Sequence, residues 1–357
     1  MKKNIKKLHF IIILILIVLF TIFLMTFILN NKIEKEKELY QNDWAIYNYG
    51  QQIENKSGIA GIDINIRPIF NKINTKKDDY VIVAVVDTGV DLSNSNINKS
   101  ILLNNNDAIN NYDDDKNGFI DDYYGWNFFN NNNIIYEDAL YDYHGTYVAS
   151  TILKVFPCAK ILPVKFLNST YGTIEDSISA VKYAISRGAK IINCSWNFND
   201  DSKELFELIK NHPEILFVCA AGNSNLNLDN QSLFPCSYDL DNIITVMAVD
   251  NKGLPYNSSG YGENGVDIAA PGVNVKTTLP DDEETLISGT SVASAYVSGT
   301  AALLLSQNPK LTPVDIKEIL IENSHKINDL KSKCKSKGII DVSASFQAGM
   351  KYKEGDK

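Results

Sequence analysis

Apolar positions fall into two regimes along this chain. Leu8 to Leu29 is a stretch of 22 residues without Asp, Glu, Lys or Arg, and Lys2, Lys3, Lys6 and Lys7 precede it. At a rise of about 1.5 Å per residue, such a helix is about 33 Å long, enough to cross the apolar core of a bilayer. The segment ends Phe27-Ile28-Leu29-Asn30-Asn31-Lys32, with no small-residue cleavage pattern. The sequence therefore predicts a basic cytoplasmic segment over 1–7 and an uncleaved transmembrane anchor over 8–29. The lysines ahead of the span place the chain beyond Asn30 on the extracytoplasmic side. Charges of alternating sign from Lys32 to Glu38 predict a solvated, helix-compatible spacer within a linker over 30–43.

Beyond the linker, short apolar runs alternate with segments of helical spacing. Asp79 to Asp87, Lys160 to Phe166, Lys190 to Ser195, Ile215 to Ala221 and Ile243 to Val249 read as strands. The first is continuously apolar up to its final Asp, as expected of a parallel strand covered on both faces. Thr173 to Arg187, Lys203 to Asn211, Ser291 to Ser306 and Pro313 to Asn323 read as helices. This alternation predicts an α/β fold, a parallel sheet flanked by helices on both faces, over 44–348, with a charged tail at 349–357. Ser93 to Asn133, rich in Asn and Asp, reads as an extended surface loop, and Ala269-Ala270-Pro271-Gly272 as a rigid turn.

Charge and cysteine usage narrow the function. A net charge of -9, a pI near 5.1 and the lack of a basic patch exclude a nucleic-acid partner. The five cysteines are scattered, and Cys194 and Cys219 sit in strand-like runs as small buried hydrophobes. An odd count leaves at least one thiol unpaired, and nothing suggests a disulfide framework.

Four short motifs carry candidate chemistry. Asp87-Thr88-Gly89 closes the first strand, at the end where open α/β sheets collect functional groups. His144-Gly145-Thr146 opens an apolar, helix-compatible run, and no other histidine has such a setting. Asn223 follows Ala220-Ala221-Gly222 at the end of a buried strand, where its amide can donate to an oxyanion. Gly289-Thr290-Ser291 opens a helix; alone, Ser291 reads as an N-cap, although a helix start also favours developing negative charge. Separately, Asp113, Asp115, Asn117 and Asp121 place oxygens around Gly118 as in the first part of a calcium loop. The usual closing Glu is replaced by Tyr124; a structural calcium ion is the expectation drawn from this segment, and an acidic, solvated turn is the alternative.

In the order Asp, His, Asn, Ser, these motifs resemble the subtilisin-like serine proteases, the subtilases. The resemblance runs from about Trp44 to Ala348. It implies that Ser291 is the nucleophile, His144 the general base and acid, and Asp87 the group orienting the imidazole. It implies Asn223 as an oxyanion donor, and Ser195-Trp196-Asn197 with Ala220-Ala221-Gly222 as the segments binding a polypeptide substrate. No cofactor for catalysis is implied. This chain departs from the family pattern at Tyr147, where a His is usual, and at Ser150, Asn197 and Ala295. Asp43 to Gln51 and Gly58 to Asn65 resemble the start of a mature subtilase domain, so no covalent prodomain is expected. The expected function is an anchored serine endopeptidase acting on exported polypeptides, in maturation of a few substrates or, as the alternative, in general degradation. A catalytically silent, peptide-binding ectodomain is the alternative. An esterase would need a Gly-x-Ser-x-Gly elbow, which this chain lacks.

Overall fold

The computed structural model describes residues 2–73, 80–169 and 171–352, with only the backbone of 2–8 and 10–14. It divides into two units, Met1–Asn42 and Asp43–Lys357.

The first unit is one helix, α1, Lys2–Leu39. Its part Ile15–Leu39 is long and apolar enough to cross a membrane. Thr21 and Thr26 return their hydroxyls to the carbonyls of Val18 (2.8 Å) and Phe23 (2.8 Å), so neither needs water. The helix continues unbroken through the charged spacer, where Lys37 pairs with Glu34 at 2.8 Å. The predicted linker over 30–43 is thus helical to Leu39, and Asp43 already belongs to the second unit, buried and paired with Lys154 at 2.9 Å.

In chain order the second unit contains the small hairpin β1 (Gln52–Ile53) and β2 (Lys56–Ser57), then β3 (Ile82–Asp87), β4 (Trp126–Asn127), α2 (Ala139–Val155), β5 (Lys160–Lys165) and α3 (Ile174–Ser186). Next come β6 (Ile191–Cys194), α4 (Lys203–Lys210), β7 (Leu216–Ala220), β8 (Ile243–Val249), β9 (Ile268–Pro271) and the hairpin β10 (Val275–Thr278) with β11 (Glu284–Ile287). The chain closes with α5 (Thr290–Gln307), α6 (Pro313–Glu322), β12 (His325–Lys326), β13 (Gly338–Ile339) and α7 (Val342–Lys351). Nine strands form one sheet in the order β12-β13-β9-β8-β7-β6-β3-β5-β4, and only the β12–β13 edge pair is antiparallel.

Strand parity decides what each side chain meets. Ala84, Val86, Leu162, Val164, Ile192 and Phe217 leave one face of the sheet and cluster with Ile178 and Val181 of α3 and Leu205 and Ile209 of α4. Residues of the other parity face α2 and α5, which pack against each other. Asn193 shows the side, accepting from Ser298 of α5 at 2.8 Å. Asp87 and Lys165 share this parity and partner each other across β3 and β5. Each large aliphatic side chain fully removed from water here contributes about 1.5–3 kcal/mol.

Several expectations need correction, and one falls outside the described residues. Asp79, the predicted start of the first strand, lies outside the described residues. Ala269-Ala270-Pro271 is not a turn but most of β9, paired in parallel with β8; Pro271 is tolerated because it ends the strand. Ser93 to Asn133 is not a purely surface loop, since β4 joins the sheet from within it and Asn104, Asp107, Asp121 and Asp122 are buried. Beside its buried Ile97, Ile101 and Trp126, this segment has a polar hub. Asp122 accepts from Tyr183 Oη at 2.6 Å, Arg187 Nη1 at 2.8 Å, Asn117 Nδ2 at 3.1 Å and Asn104 Nδ2. Burial above all, with the Asp122 charge adding to it, raises the Tyr183 phenol above its usual range and keeps it a donor. The tail from 353 lies outside the described residues, and α7 runs past its predicted start at 349 to Lys351.

Asp122→Ala leaves the Arg187 guanidinium largely buried without its carboxylate, so unfolding in urea is expected to become easier by about 3–5 kcal/mol. A loss below about 1 kcal/mol would show that the loop is held to α3 by other contacts.

Candidate active site

The first four motifs meet at the C-terminal edge of the sheet. Asp87 ends β3 and is 1% exposed. Its Oδ1 accepts from the Thr88 N–H at 2.7 Å and from His144 Nδ1 at 2.7 Å. His144 lies near the start of α2, whose N-cap is Asp138, accepting from Leu140 N. A carboxylate without a proton can only accept, so Nδ1 carries the hydrogen, and in the neutral imidazole Nε2 keeps its lone pair. Nε2 stands 3.0 Å from Ser291 Oγ.

Two glycines permit this approach. A Cβ on Gly145 would stand 2.1 Å from the Gly89 carbonyl oxygen and 3.3 Å from Asp87 Cβ. Gly89 has φ +114°, and its own Cβ would stand 2.0 Å from the Ile135 carbonyl oxygen. Thr88 Oγ1 completes the join, accepting from Gly145 N at 3.1 Å and donating to the Asp142 carbonyl at 3.1 Å.

Ser291 is not the N-cap of α5. Gly289 caps the helix without a side chain, and Ser291 sits in the first turn with its hydroxyl on His144. A seam of small polar groups fixes it to β6, and these partners were missed by reading the residues alone. Ser294 Oγ donates to the Ser291 carbonyl at 2.9 Å and lies 3.0 Å from Ser195 Oγ. Asn193 Nδ2 donates to Ser195 Oγ at 2.8 Å, and Ser298 donates to Asn193 Oδ1. The one available signal was the spacing of Ser291, Ser294 and Ser298, which share one stripe of a helix.

Asn223 follows β7, and its Oδ1 accepts from Thr290 N at 3.0 Å and Thr290 Oγ1 at 3.2 Å. Both bonds use the oxygen, so Nδ2 is left as the donor beside Ser291. Tyr147 is buried, with its ring centroid 4.7 Å from that of His144. Burial, then the Asp87 charge, raises its phenol well above the usual value, against a hydrogen bond with Ser291 that lowers it. It therefore stays protonated and offers no competing base.

Among the substrate-segment residues, the parallel pairing of β6 and β7 brings Ser195-Trp196-Asn197 alongside Ala220-Ala221-Gly222. Trp196 does not stand open to solvent. It is almost wholly buried, its ring against Phe166 and Phe198 and its Nε1 donating to the Val86 carbonyl at 2.9 Å. Asn197 Nδ2 donates to the Ala220 carbonyl at 3.0 Å and ties the two segments together.

Asp113 and Asp115 converge on Asn117, whereas Asp121 turns to Asn110 and Asn111. Asp113 accepts from Asn117 N and Gly118 N, Asp115 from Asn117 and Asn104, and Asp121 from Asn110 N and Asn111 N. Among the described residues no group of three or more His, Cys, Asp or Glu is arranged to hold a metal ion. All five thiols are free. Burial raises those of Cys219 and Cys236, which makes them poor nucleophiles.

The subtilase family model matches residues 78–346. The chain is 29% identical over 301 residues to the cell wall-associated protease of Bacillus subtilis (strain 168), covering 81% of this chain and 30% of that protein. It is 28% identical over 306 residues to subtilisin-like protease 1 of Plasmodium falciparum, covering 76% and 44%. With subtilisin DY of Bacillus licheniformis the identity is 33% over 217 residues, covering 57% of this chain and 77% of the relative. The chain thus spans 30% and 44% of the length of the first two relatives. Among solved structures, a subtilase cytotoxin assembly aligns with TM-score 0.66 at 25% identity, covering 81% of this chain and 95% of that one. A cold-adapted subtilisin-like serine proteinase aligns with TM-score 0.59 at 26% identity, covering 73% and 90%.

Gly145→Ala is expected to separate α2 from the β3 loop and to slow labelling of Ser291 by a fluorophosphonate about a hundredfold. A wild-type labelling rate in a folded Gly145→Ala protein would mean that this close approach is not required.

Proposed function

The chain belongs to the subtilase family, and on that footing we propose that it is a serine endopeptidase with Asp87, His144 and Ser291 as its triad. The observation that carries the proposal is the unbroken relay from Asp87 Oδ1 to His144 Nδ1 at 2.7 Å and from His144 Nε2 to Ser291 Oγ at 3.0 Å. His144 Nε2 takes the Ser291 proton as Oγ attacks the peptide carbonyl. The imidazolium so formed is stabilised by Asp87 and then delivers its proton to the departing amine. Asn223 Nδ2 and the Ser291 N–H at the start of α5 receive the oxyanion. Water then attacks the acyl-enzyme by the same proton route, releasing the second product.

The substrate is a polypeptide bound in extended form along the 195–197 and 220–222 segments. In this proposal α1 anchors the enzyme in the membrane with its domain on the extracytoplasmic side, where it matures exported polypeptides. The length and apolar character of Ile15–Leu39 support the anchoring.

A fluorophosphonate probe is expected to label the full chain at Ser291, and Ser291→Ala and His144→Ala to abolish labelling. A folded chain that resists the probe would favour a silent, peptide-binding role. For Asn223→Ala, turnover of a cleaved peptide is expected to fall by roughly 10²–10³ with little change in KM. That reference magnitude comes from a subtilisin, a member of the same family. An effect confined to KM would remove Asn223 from the oxyanion role.

A further inference from the structure

Lys165 is the only buried lysine among the described residues, 2% exposed at the end of β5. It faces Asp87 in the β3–β5 register, so both side chains leave the sheet on the side of α2. Its ammonium stands 2.6 Å from Asp142 Oδ1 and 3.2 Å from Glu137 Oε2. Asp142 is itself 1% exposed, and the Lys165 ammonium is the partner that compensates its Oδ1.

Asp142 precedes His144 by two residues and is tied to everything that orients it. Its Oδ2 accepts from Glu137 N at 2.9 Å, shaping the entry to α2. Its carbonyl accepts from Thr88 Oγ1, and the Thr88 N–H donates to Asp87 Oδ1. A buried ion pair gives little stability over well-packed apolar residues of similar volume, so stability alone is a weak reason for this one. What it supplies that an apolar pair could not is a fixed separation between β5 and the start of α2.

We propose that Lys165 is a positioning residue: through Asp142 it sets the height of the α2 N-terminus above Asp87 and so aligns His144 with Ser291. The inference rests on the assignment of Ser291 as nucleophile and His144 as its base.

The test uses the full chain in detergent and the saturation kinetics of fluorophosphonate inactivation, which separate kinact from KI. Lys165→Met combined with Asp142→Asn removes both buried charges and leaves only the exposed Glu137 without its cation, still held by Asn130 Nδ2. This double variant is expected to melt as the wild type does, with kinact lowered about 10- to 100-fold and KI unchanged. Wild-type kinact in the folded double variant overturns the inference, as does a change confined to KI. Should the double variant not fold, Asp142→Asn alone carries the test, because Lys165 keeps Glu137 as counter-ion. A lowered kinact there supports positioning, and wild-type kinact overturns it. A wild-type chain that is not labelled at all overturns the triad assignment and this inference with it.

Discussion

An ionised carboxylate withdrawn from water must be met by donors or charge, or it takes up a proton. Asp87 is in that position, 1% exposed at the end of a strand covered on both faces. Two donors answer it, the Thr88 N–H and His144 Nδ1, both on Oδ1. The second bond does more than compensate charge. It fixes the imidazole tautomer and turns the free lone pair of Nε2 toward Ser291. The missing Cβ atoms at Gly89 and Gly145 reflect the same constraint, because the carboxylate and the imidazole meet only if two backbones nearly touch.

Ser291 is placed by polar contacts. The first turn of α5 is joined to the end of β6 through Asn193, Ser195, Ser294 and Ser298. Hydroxyls buried in this way are tolerable because each finds a partner, and a satisfied polar seam admits fewer alternative packings than an apolar one. Apolar packing does the coarser work. Trp196 fills space beneath β3, and α2 and α5 hold each other across the face from which Asp87 emerges.

The periphery is held by the same pairing of buried charge. The loop after β3 buries Ile97, Ile101 and Trp126, and Asp122 gathers it around Tyr183 and Arg187 of the α3 region. Lys154 likewise joins Asp43 to α2, bringing the start of the second unit into its core. Acidic residues that look solvated in the sequence are in several places the buried centres of local structure.

Much of this was legible in the residues themselves. Continuous apolar runs such as Val81 to Val86 mean a strand covered on both faces, and alternation with helical segments means a parallel sheet, because local spacing reports burial directly. The order of Asp87, His144, Asn223 and Ser291 was equally plain. What local spacing does not encode is which distant atoms meet. That Trp196 is buried, that Ala269-Ala270-Pro271 is a strand and that Lys165 answers Asp142 were all decided by pairings between remote parts of the chain. The sequence determined the elements and the reactive groups, since those depend on neighbours a few residues away. Tertiary structure alone decided distances, partners and burial, since the register between strands and the docking of helices bring together residues that share no local pattern.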